Sequence, residues 1–281
     1  MILIADSGST KTTWCILNGV DRETETCSTA GINPFLQTEE EIFLTLKREY
    51  SLTKGPFDLV NFYGAGCANP EKNNKVKSQL EKFFTARNIS IHSDLMAAAR
   101  SLCGNEPGIA AILGTGSNSC FYDGNRIKRQ VSPLGYILGD EGSGAVLGRK
   151  LLSDVLKKQL PEDICTRFNE KYRVGDAEIL DNVYRKPFPN RYMANFTPFL
   201  SENIDHPEIY RLVKSGFCEF FNRNIRQYPE ASGLPVSFTG SIAWHFRHVL
   251  GEAAGESGYR TGLITRSPME GLIDYHRSRT G

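Results

Sequence analysis

The chain lacks the features that mark a metal cluster, a membrane protein or a secreted protein. Its seven cysteines include no CxxC pair, and its five histidines form no clustered ligand set. We therefore expect reduced thiols and no zinc or iron–sulfur site. No run approaches the ~18 apolar residues of a membrane helix, and no signal peptide opens the chain. These absences predict a soluble, cytoplasmic protein with no membrane partner.

An excess of charge of one sign is also missing. Lysine and arginine number 33 against 32 aspartates and glutamates, which gives a formal net charge of +1. A polyanion is drawn to a strongly basic surface, so we expect no nucleic-acid partner. What the chain does have is 281 residues that are 40% hydrophobic, enough for two domains with ordinary cores.

The pattern of the sequence alternates apolar strands with amphipathic helices, which predicts an α/β protein. Strands are predicted at residues 2–6, 12–17, 59–63, 89–92, 109–113, 119–122 and 235–238. Helices are predicted at about 38–50, 70–87, 95–102, 142–159, 176–184, 207–227 and 268–279.

A strand, a Gly/Ser/Thr turn, a second strand and a glycine-containing hairpin turn, such as Asn18-Gly19, open the chain and recur after residue 108. This echo suggests an internal duplication. Since Asn105–Gly108 is a strong boundary signal, we predict domains at 1–106 and 107–281. The last helix is a candidate to pack back on the first domain.

Three Gly/Ser/Thr turns each follow a predicted buried strand, at residues 6–12, 114–118 and 239–241. Ligand sites of α/β proteins gather at the carboxyl ends of strands, and open turn N–H groups suit phosphate oxygens. The first turn lacks the P-loop spacing, and Gly114-Thr115-Gly116 leads back into a strand instead of opening a helix. These turns therefore predict phosphate binding without either common nucleotide fingerprint.

Three acidic positions are open to two interpretations each. Asp6 is either a turn carboxylate or a ligand of a nucleotide-bound Mg²⁺. Asp94, placed at a helix N-cap, is either a capping residue or a general base in phosphoryl transfer. Asp140 lies in the segment Gly139-Asp140-Glu141-Gly142-Ser143, where adjacent acids favour a helix N-terminus or the recognition of sugar hydroxyls.

Together the segments at 6–12, 114–118 and 139–143 resemble those of the N-acetylglucosamine kinase family. That family belongs to the BadF/BadG/BcrA/BcrD group of the actin/hexokinase/Hsp70 superfamily. The resemblance covers nearly the whole chain. It implies two ribonuclease-H-like (actin-like ATPase) domains with a cleft between them that takes ATP, Mg²⁺ and an amino sugar.

The resemblance also implies residue roles. Asp94 resembles the catalytic base at the sugar 6-hydroxyl, and Asp6 resembles the residue near Mg²⁺. The nucleotide would be bound by Gly8, Ser9, Thr10, Lys11, Thr115 and Gly240. The sugar would be bound by Asn33, Asp94, Ser117, Asn118, Gly135 and Asp140.

We therefore predict ATP-dependent 6-phosphorylation of an N-acetylated amino sugar, with N-acetylglucosamine first. Alternatives are an N-acetylmuramic acid or glucosamine kinase, a non-catalytic nucleotide- or sugar-sensing protein, and an ATPase activator of a dehydratase, which the scattered cysteines disfavour. Leu134 stands where the vertebrate enzymes have a tryptophan, so the sugar stays open. The oligomeric state is open too, with a homodimer as one candidate.

Overall fold

The computed structural model describes residues 1–8, 10–18 and 24–279. Within it the chain forms two compact units. Unit 1 comprises Met1–Glu106, Gly124–Arg126 and Pro268–Gly281, and unit 2 comprises Pro107–Asp123 and Ile127–Ser267. Ser9 and Gly19, the second residue of the predicted Asn18-Gly19 turn, lie outside the described residues.

The described residues contain the following strands and helices. The strands are β1 (Ile2–Ser7), β2 (Lys11–Leu17), β3 (Thr24–Ala30), β4 (Leu59–Gly64), β5 (Ile89–Ser93), β6 (Pro107–Leu113), β7 (Ser117–Asp123), β8 (Ile127–Val131), β9 (Val236–Thr239) and β10 (Thr261–Thr265). The helices are α1 (Glu39–Glu49), α2 (Pro70–Phe83), α3 (Asp94–Cys103), α4 (Gly135–Leu138), α5 (Gly144–Leu156), α6 (Glu162–Tyr172), α7 (Asp176–Tyr184), α8 (Pro189–Ala194), α9 (Thr197–Glu202), α10 (Pro207–Arg223), α11 (Ser241–His245), α12 (Arg247–Glu256) and α13 (Met269–Arg277).

The two units contain five-stranded sheets of the same topology. In unit 1 the order is β3-β2-β1-β4-β5, with β1 to β3 antiparallel and β4 and β5 parallel to β1. In unit 2 the order is β8-β7-β6-β9-β10, with the same pattern of directions. The echo in the sequence is thus the start of each sheet, and the prediction of an α/β chain built on two such sheets is confirmed.

The core of unit 1 is aromatic. Trp14 is fully buried, and its indole lies 5.4 Å from the ring of Tyr50 and 5.6 Å from that of Phe84. The indole N–H donates to the Thr29 hydroxyl at 3.1 Å, so the one polar atom of this side chain is satisfied in the core. Helix α1 begins with a capping box between Thr38 and Glu41 and packs its apolar face on this cluster.

The C-terminal helix α13 belongs to unit 1 and packs on α3. Gly271 faces Ser101 so closely that a Cβ on the glycine would lie 2.3 Å from the Ser101 carbonyl oxygen. His276 is buried and shares a hydrogen bond of 2.8 Å with the Tyr63 hydroxyl. The close approach at Gly271 and the buried hydrogen bond of His276 therefore position this helix on unit 1.

The core of unit 2 is centred on α10. This helix buries Phe217, Phe220 and Phe221, and the last two pack against Phe238 of β9. The predicted helix at 207–227 ends at Arg223, and a short 3₁₀ turn follows it. In the described part of the chain no helix combines the length and the apolar character needed to cross a bilayer.

Candidate active site

The first Gly/Ser turn of unit 1 is tied to the loop that follows β3. Gly8 N–H donates to the Lys11 carbonyl at 3.0 Å and closes the turn. The Ser7 hydroxyl accepts from Ile32 N–H at 2.9 Å, and Gly31 N–H donates to the Thr10 carbonyl at 3.0 Å. The turn residues Gly8, Thr10 and Lys11 are exposed. This arrangement brings the predicted nucleotide turn next to the loop that carries the predicted sugar ligand Asn33.

Asn33 is held by its own loop. Its carboxamide oxygen accepts from Phe35 N–H at 3.0 Å, and its backbone N–H donates to the Gln37 side chain at 2.8 Å. A Cβ on Gly66 would lie 2.5 Å from the Asn33 carboxamide oxygen, so this approach needs a glycine there. With its oxygen engaged, Asn33 retains the amide NH₂ group as the donor it can offer to a ligand.

Asp6 and Asp94 lie at the carboxyl ends of two parallel strands of one sheet, and the charge of Asp94 acts on Asp6. Asp6 lies near the end of β1, and Asp94 follows β5 as the first residue of α3. Burial, and then the negative charge of Asp94, raises the pKa of Asp6 to about 7. Burial raises the pKa of Asp94 as well, against the lowering effect of the backbone N–H of Leu95, which donates to its carboxylate at 2.8 Å. Burial thus favours the protonated form of both carboxyl groups, and a neighbouring cation would favour their charged forms.

The prediction that Asp94 is the N-cap of its helix is wrong by one residue. Ser93 is the N-cap, and its hydroxyl accepts from Met96 N–H at 3.2 Å. Since Ser93 performs the capping, the Asp94 carboxylate is not needed for it. The interpretation of Asp94 as a capping residue is therefore weaker, and its interpretation as a general base is stronger.

Sequence reasoning missed Cys67, which lies in the same neighbourhood. Burial and the charge of Asp94 raise the pKa of this thiol to about 12, so it stays protonated. Its sulfur lies 3.0 Å from where a Cβ on Gly64 would be. The only signal in the sequence was the Gly64-Ala65-Gly66 run, which indicates that the backbone is closely packed here.

In unit 2 the second Gly/Ser/Thr turn lies against the N-terminus of α5. Gly144 N–H donates to the Gly114 carbonyl at 2.8 Å, and Ala145 N–H donates to the Thr115 carbonyl at 3.0 Å. Gly114 N–H donates to Gly116 within the turn at 3.0 Å. The carbonyls of the turn are thus engaged with the helix, while Thr115 stays half-buried at its surface.

Asp140 reaches back to this turn. Its carboxylate accepts from Ser117 N–H at 3.2 Å, and a Cβ on Gly116 would lie 3.0 Å from the other carboxylate oxygen. Burial raises the pKa of Asp140 to about 6, with Glu141 adding to the shift and the Ser117 N–H opposing it. The predicted sugar ligands Ser117 and Asp140 are therefore in direct contact.

The next predicted ligand, Asn118, also lies at this turn. Its carboxamide oxygen accepts from Ser119 N–H at 2.9 Å and from the Gln130 side chain at 3.1 Å. As at Asn33, the oxygen is engaged and the amide NH₂ group is the remaining donor. Ser117, Asn118 and Asp140 thus form one polar group at the start of β7.

The segment around Asp140 has an unusual backbone. Leu134, Gly135, Asp140 and Gly142 all have positive φ, at 59°, 75°, 52° and 72°. Asp140 N–H donates to the Pro133 carbonyl at 2.9 Å, which closes the segment on itself. A non-glycine residue at positive φ costs free energy, and such strain concentrates at functional sites. Gly135, the predicted sugar ligand, lies in this segment, half-buried.

Glu141 anchors the segment to the end of α10. Its buried carboxylate forms an ion pair of 2.8 Å with Arg223 Nε and accepts from the Asn224 side chain at 3.0 Å. Gly142 comes within van der Waals contact of α10, since a Cβ there would lie 3.2 Å from Phe220 Cβ. No sequence signal connects position 141 with position 223, and these contacts were not anticipated.

Gly240 lies at the third turn, after β9. Its φ is 122°, its N–H donates to the Thr265 carbonyl at 3.0 Å, and a Cβ would lie 2.3 Å from the Leu113 carbonyl oxygen. Only glycine permits this approach to the end of β6, where the second turn begins. The third predicted turn is therefore next to the second.

The structure thus assembles two groups of predicted site residues, one in each unit. Unit 1 contains Asp6, Gly8, Thr10, Lys11, Asn33 and Asp94, and unit 2 contains Thr115, Ser117, Asn118, Gly135, Asp140 and Gly240. Ser9 lies outside the described residues. Within those residues no group of three or more His, Cys, Asp or Glu side chains is placed to hold a metal ion.

Comparison with known proteins identifies the family. No protein-family model and no curated protein matches the chain. Among solved structures, the "Putative N-acetylglucosamine Kinase" from Porphyromonas gingivalis is 46% identical, with both chains covered over 100% of their length and a TM-score of 0.90. The chain belongs to this family of sugar kinases. It is an ATP-dependent sugar kinase, which confirms the predicted enzyme class.

More distant structures share the fold alone. A "Putative N-acetylglucosamine Kinase" from Chromobacterium violaceum is 19% identical, with 98% of each chain covered and a TM-score of 0.74. A ROK family glucokinase from Streptomyces griseus, in complex with glucose and AMPPNP, is 13% identical. That comparison covers 99% of this chain and 100% of the glucokinase, with a TM-score of 0.57.

Proposed function

We propose that this sugar kinase transfers the γ-phosphoryl group of ATP to the 6-hydroxyl of N-acetylglucosamine. Two facts support this substrate: the resemblance in the three sequence segments, and the 46% identical relative named as a putative N-acetylglucosamine kinase. The observation that carries the mechanism is the pair of half-buried carboxylates, Asp6 and Asp94, at two strand ends of the sheet whose first strand leads into the exposed turn at Gly8. We also place the chain in the BadF/BadG/BcrA/BcrD group, with the two units as its two ribonuclease-H-like domains.

Asp94 is the proposed general base. It would accept the proton of the 6-hydroxyl as that oxygen bonds to the γ-phosphorus and the bond to the β-γ bridging oxygen breaks, releasing ADP. A base works best when its pKa approaches the working pH, and the raised pKa of Asp94 moves it in that direction. The hydrogen bond from Leu95 N–H to one Asp94 carboxylate oxygen would help to orient the base.

Asp6 is the proposed contact to Mg²⁺. The residues fit that ion, because Mg²⁺ prefers oxygen ligands and usually takes only one or two carboxylates along with substrate phosphates. A cation here would also favour the charged form of Asp6, against the burial and the Asp94 charge that raise its pKa. When bound, Mg²⁺ neutralises charge on the phosphates during transfer.

The remaining predicted residues take binding roles. The phosphates would be bound by Thr10, Lys11 and Thr115, together with the backbone of Gly8 and the predicted contact Ser9. Gly240 would lie beside the adenosine. Asn33 and Asn118 would donate their amide groups to sugar hydroxyls or the acetyl carbonyl, with Gly135 contributing backbone. Asp140 would accept hydrogen bonds from sugar hydroxyls next to Ser117. A cytoplasmic location and a homodimer stay predictions.

A coupled ADP-release assay over a sugar panel tests the function. We expect turnover with N-acetylglucosamine and much lower kcat/KM with glucose and glucosamine, which lack the acetyl group. Proton–phosphorus NMR of the product should locate the phosphate at the 6-position. If the protein phosphorylates glucose as efficiently as every amino sugar, the proposed substrate is wrong.

A further inference from the structure

One segment of unit 2 carries two of the proposed sugar ligands, Gly135 and Asp140, in a backbone conformation that needs outside support. Asp140 has a φ of 52°, and Gly135 and Gly142 on either side of it have φ of 75° and 72°. A non-glycine residue in the left-handed region costs free energy and persists only where the surrounding structure holds it. The contacts that hold this segment therefore determine where the Asp140 carboxylate lies.

The backbone bonds of Asp140 do not position the segment by themselves. Asp140 N–H donates to the Pro133 carbonyl at 2.9 Å, and Ser143 N–H donates to the Asp140 carbonyl at 3.1 Å. Both bonds lie within the segment and move with it. The position of the segment in unit 2 depends on its bonds to other elements, which include the 3.2 Å bond from Ser117 N–H to the Asp140 carboxylate and two bonds of Glu141.

Glu141, the residue after Asp140, is bound by the end of α10. Its side chain is 8% exposed, one carboxylate oxygen lies 2.8 Å from Arg223 Nε, and the other accepts from the Asn224 side-chain amide at 3.0 Å. A buried carboxylate needs such partners, because a buried charge that loses its partner destabilises the fold. Both oxygens of Glu141 are thus engaged, and Asp140 is one peptide bond away from this anchor.

Arg223 is itself held in place. Its guanidinium contacts a second carboxylate, that of Glu219 one turn earlier in α10, which lies 3.8 Å from Arg223 Nη1. Glu219 also forms an ion pair of 2.9 Å with Lys150 of α5. Charges therefore alternate in sign from α5 across α10 to the segment, and this order helps to orient the guanidinium toward Glu141.

We propose that Arg223 is a positioning residue for sugar binding, which acts through Glu141 to hold the Asp140 carboxylate where it meets the sugar. The proposal rests on the proposed function, because it places the sugar at Asp140. Without the guanidinium, the Glu141 charge would be buried beside a single neutral donor, Asn224. The Glu141 carboxylate would then turn toward water, and Asp140 would move with it.

Steady-state kinetics of Arg223→Gln test this role, with the sugar and ATP varied separately. We expect the KM for N-acetylglucosamine to rise at least about tenfold, as suits the loss of a hydrogen bond to a charged group. The KM for ATP should stay within about twofold of the wild-type value, because backbone hydrogen bonds hold Thr115 and Gly240 independently of Glu141. Arg223→Lys, which keeps the charge, should recover part of the loss.

Arg226→Gln is the matched control. Arg226 is an exposed arginine in the short turn that follows α10, and it forms no ion pair within the part of the chain that the structure describes. This variant removes the same charge from the same end of α10 and should keep the wild-type KM values. An unchanged sugar KM in Arg223→Gln, or an equal rise in Arg226→Gln, would overturn the proposal.

A double-mutant cycle with Asp140→Asn tests whether Arg223 acts through Asp140. Asp140→Asn removes the carboxylate that Arg223 would position, so adding Arg223→Gln should raise the sugar KM no more than about twofold further. The same rise in both backgrounds would mean that Arg223 supports unit 2 as a whole, and the proposal would be wrong.

Amide hydrogen exchange of the unliganded protein separates this proposal from the proposed function. Arg223→Gln should speed exchange at Asp140 and Ser143, whose N–H groups bond within the segment, and Arg226→Gln should not. If the wild type phosphorylates no amino sugar, the proposed function fails, yet faster exchange would still support the hold of Arg223 on the segment. Exchange that Arg223→Gln leaves unchanged would overturn the proposal whatever the activity.

Discussion

At the scale of single residues, a variant at Asp94 tests the proposed catalytic role with the least effect on folding. Ser93 caps α3, so the Asp94 carboxylate is not required for the helix. We expect Asp94→Asn to lower kcat by about 10²- to 10⁴-fold, the usual contribution of a general base, while KM for ATP changes little. The coupled ADP-release assay measures this. Asp181→Asn, on the surface of α7, is the control, and an Asp94→Asn variant with full activity would exclude Asp94 as the base.

At Asp140 we expect the requirements of folding stability and of sugar binding to oppose each other. Its pKa is raised to about 6, so the folded protein binds more protons than the unfolded chain between about pH 4 and pH 6. This group's contribution to stability therefore falls as the pH rises through that window and stays low above it. Asp140→Asn carries no charge to bury and can still accept from Ser117 N–H.

We therefore expect the unliganded Asp140→Asn variant to be more stable than wild type at pH 7.5 and nearly equal to it at pH 4.5. Denaturant titrations at the two pH values measure this. At pH 7.5 the same variant should show a KM for the sugar raised about tenfold or more, because its amide NH₂ group cannot accept a hydrogen bond from a sugar hydroxyl. A variant that is less stable than wild type at pH 7.5 would contradict the argument.

At the scale of elements, two helical glycines offer a matched pair. Gly271 of α13 faces Ser101 of α3, and a Cβ there would lie 2.3 Å from a backbone oxygen. Gly251 of α12 has nothing within 4 Å of its own Cβ position. We expect Gly271→Ala to cost about 1–3 kcal/mol of unfolding free energy through overpacking. Gly251→Ala should gain about 0.4–1 kcal/mol from the lower entropy of the unfolded chain. Guanidinium titrations that rank the two variants the other way would show that α13 does not pack on α3 in this way.

The elements also show which parts of the fold the sequence could predict. Buried strands such as β1, β4 and β6 were found because their apolar runs end at glycine or polar turns. Three edge strands, β3, β8 and β10, were missed. Thr24–Ala30 has almost no apolar residues, Ile127–Val131 is polar between its two ends, and Thr261–Thr265 is interrupted by Gly262. An edge strand is specified by its neighbour's hydrogen bonds, which local patterning does not record.

The same limit applies to the site. The turn at Gly114 and the aspartates could be found because strand ends and glycines are local signals. The ion pair of Glu141 with Arg223 joins residues 82 positions apart along the chain, and only packing of α10 against the segment brings them together. The sequence alone could therefore not predict this contact.

At the scale of the whole molecule, each unit repeats the same five-stranded sheet but contributes different chemistry. Unit 1 supplies the carboxylate pair Asp6 and Asp94, and unit 2 supplies Thr115 and Asp140. Neither group alone contains both a proposed base and the proposed sugar acceptor Asp140. The proposed function therefore requires a binding role for the turn of each unit.

Amide hydrogen exchange tests this requirement. With Mg²⁺ and a non-hydrolysable ATP analogue, we expect slower exchange both in the turn that contains Gly8 and Lys11 and in the turn Gly114–Asn118, because bound phosphates shield and hold turn N–H groups. N-acetylglucosamine alone should slow exchange near Asn33 and Ser117 and leave the Gly8–Lys11 turn unchanged. Protection of only one turn by the nucleotide would contradict the phosphate-binding role proposed for Thr10 or for Thr115, whichever lies in the unprotected turn.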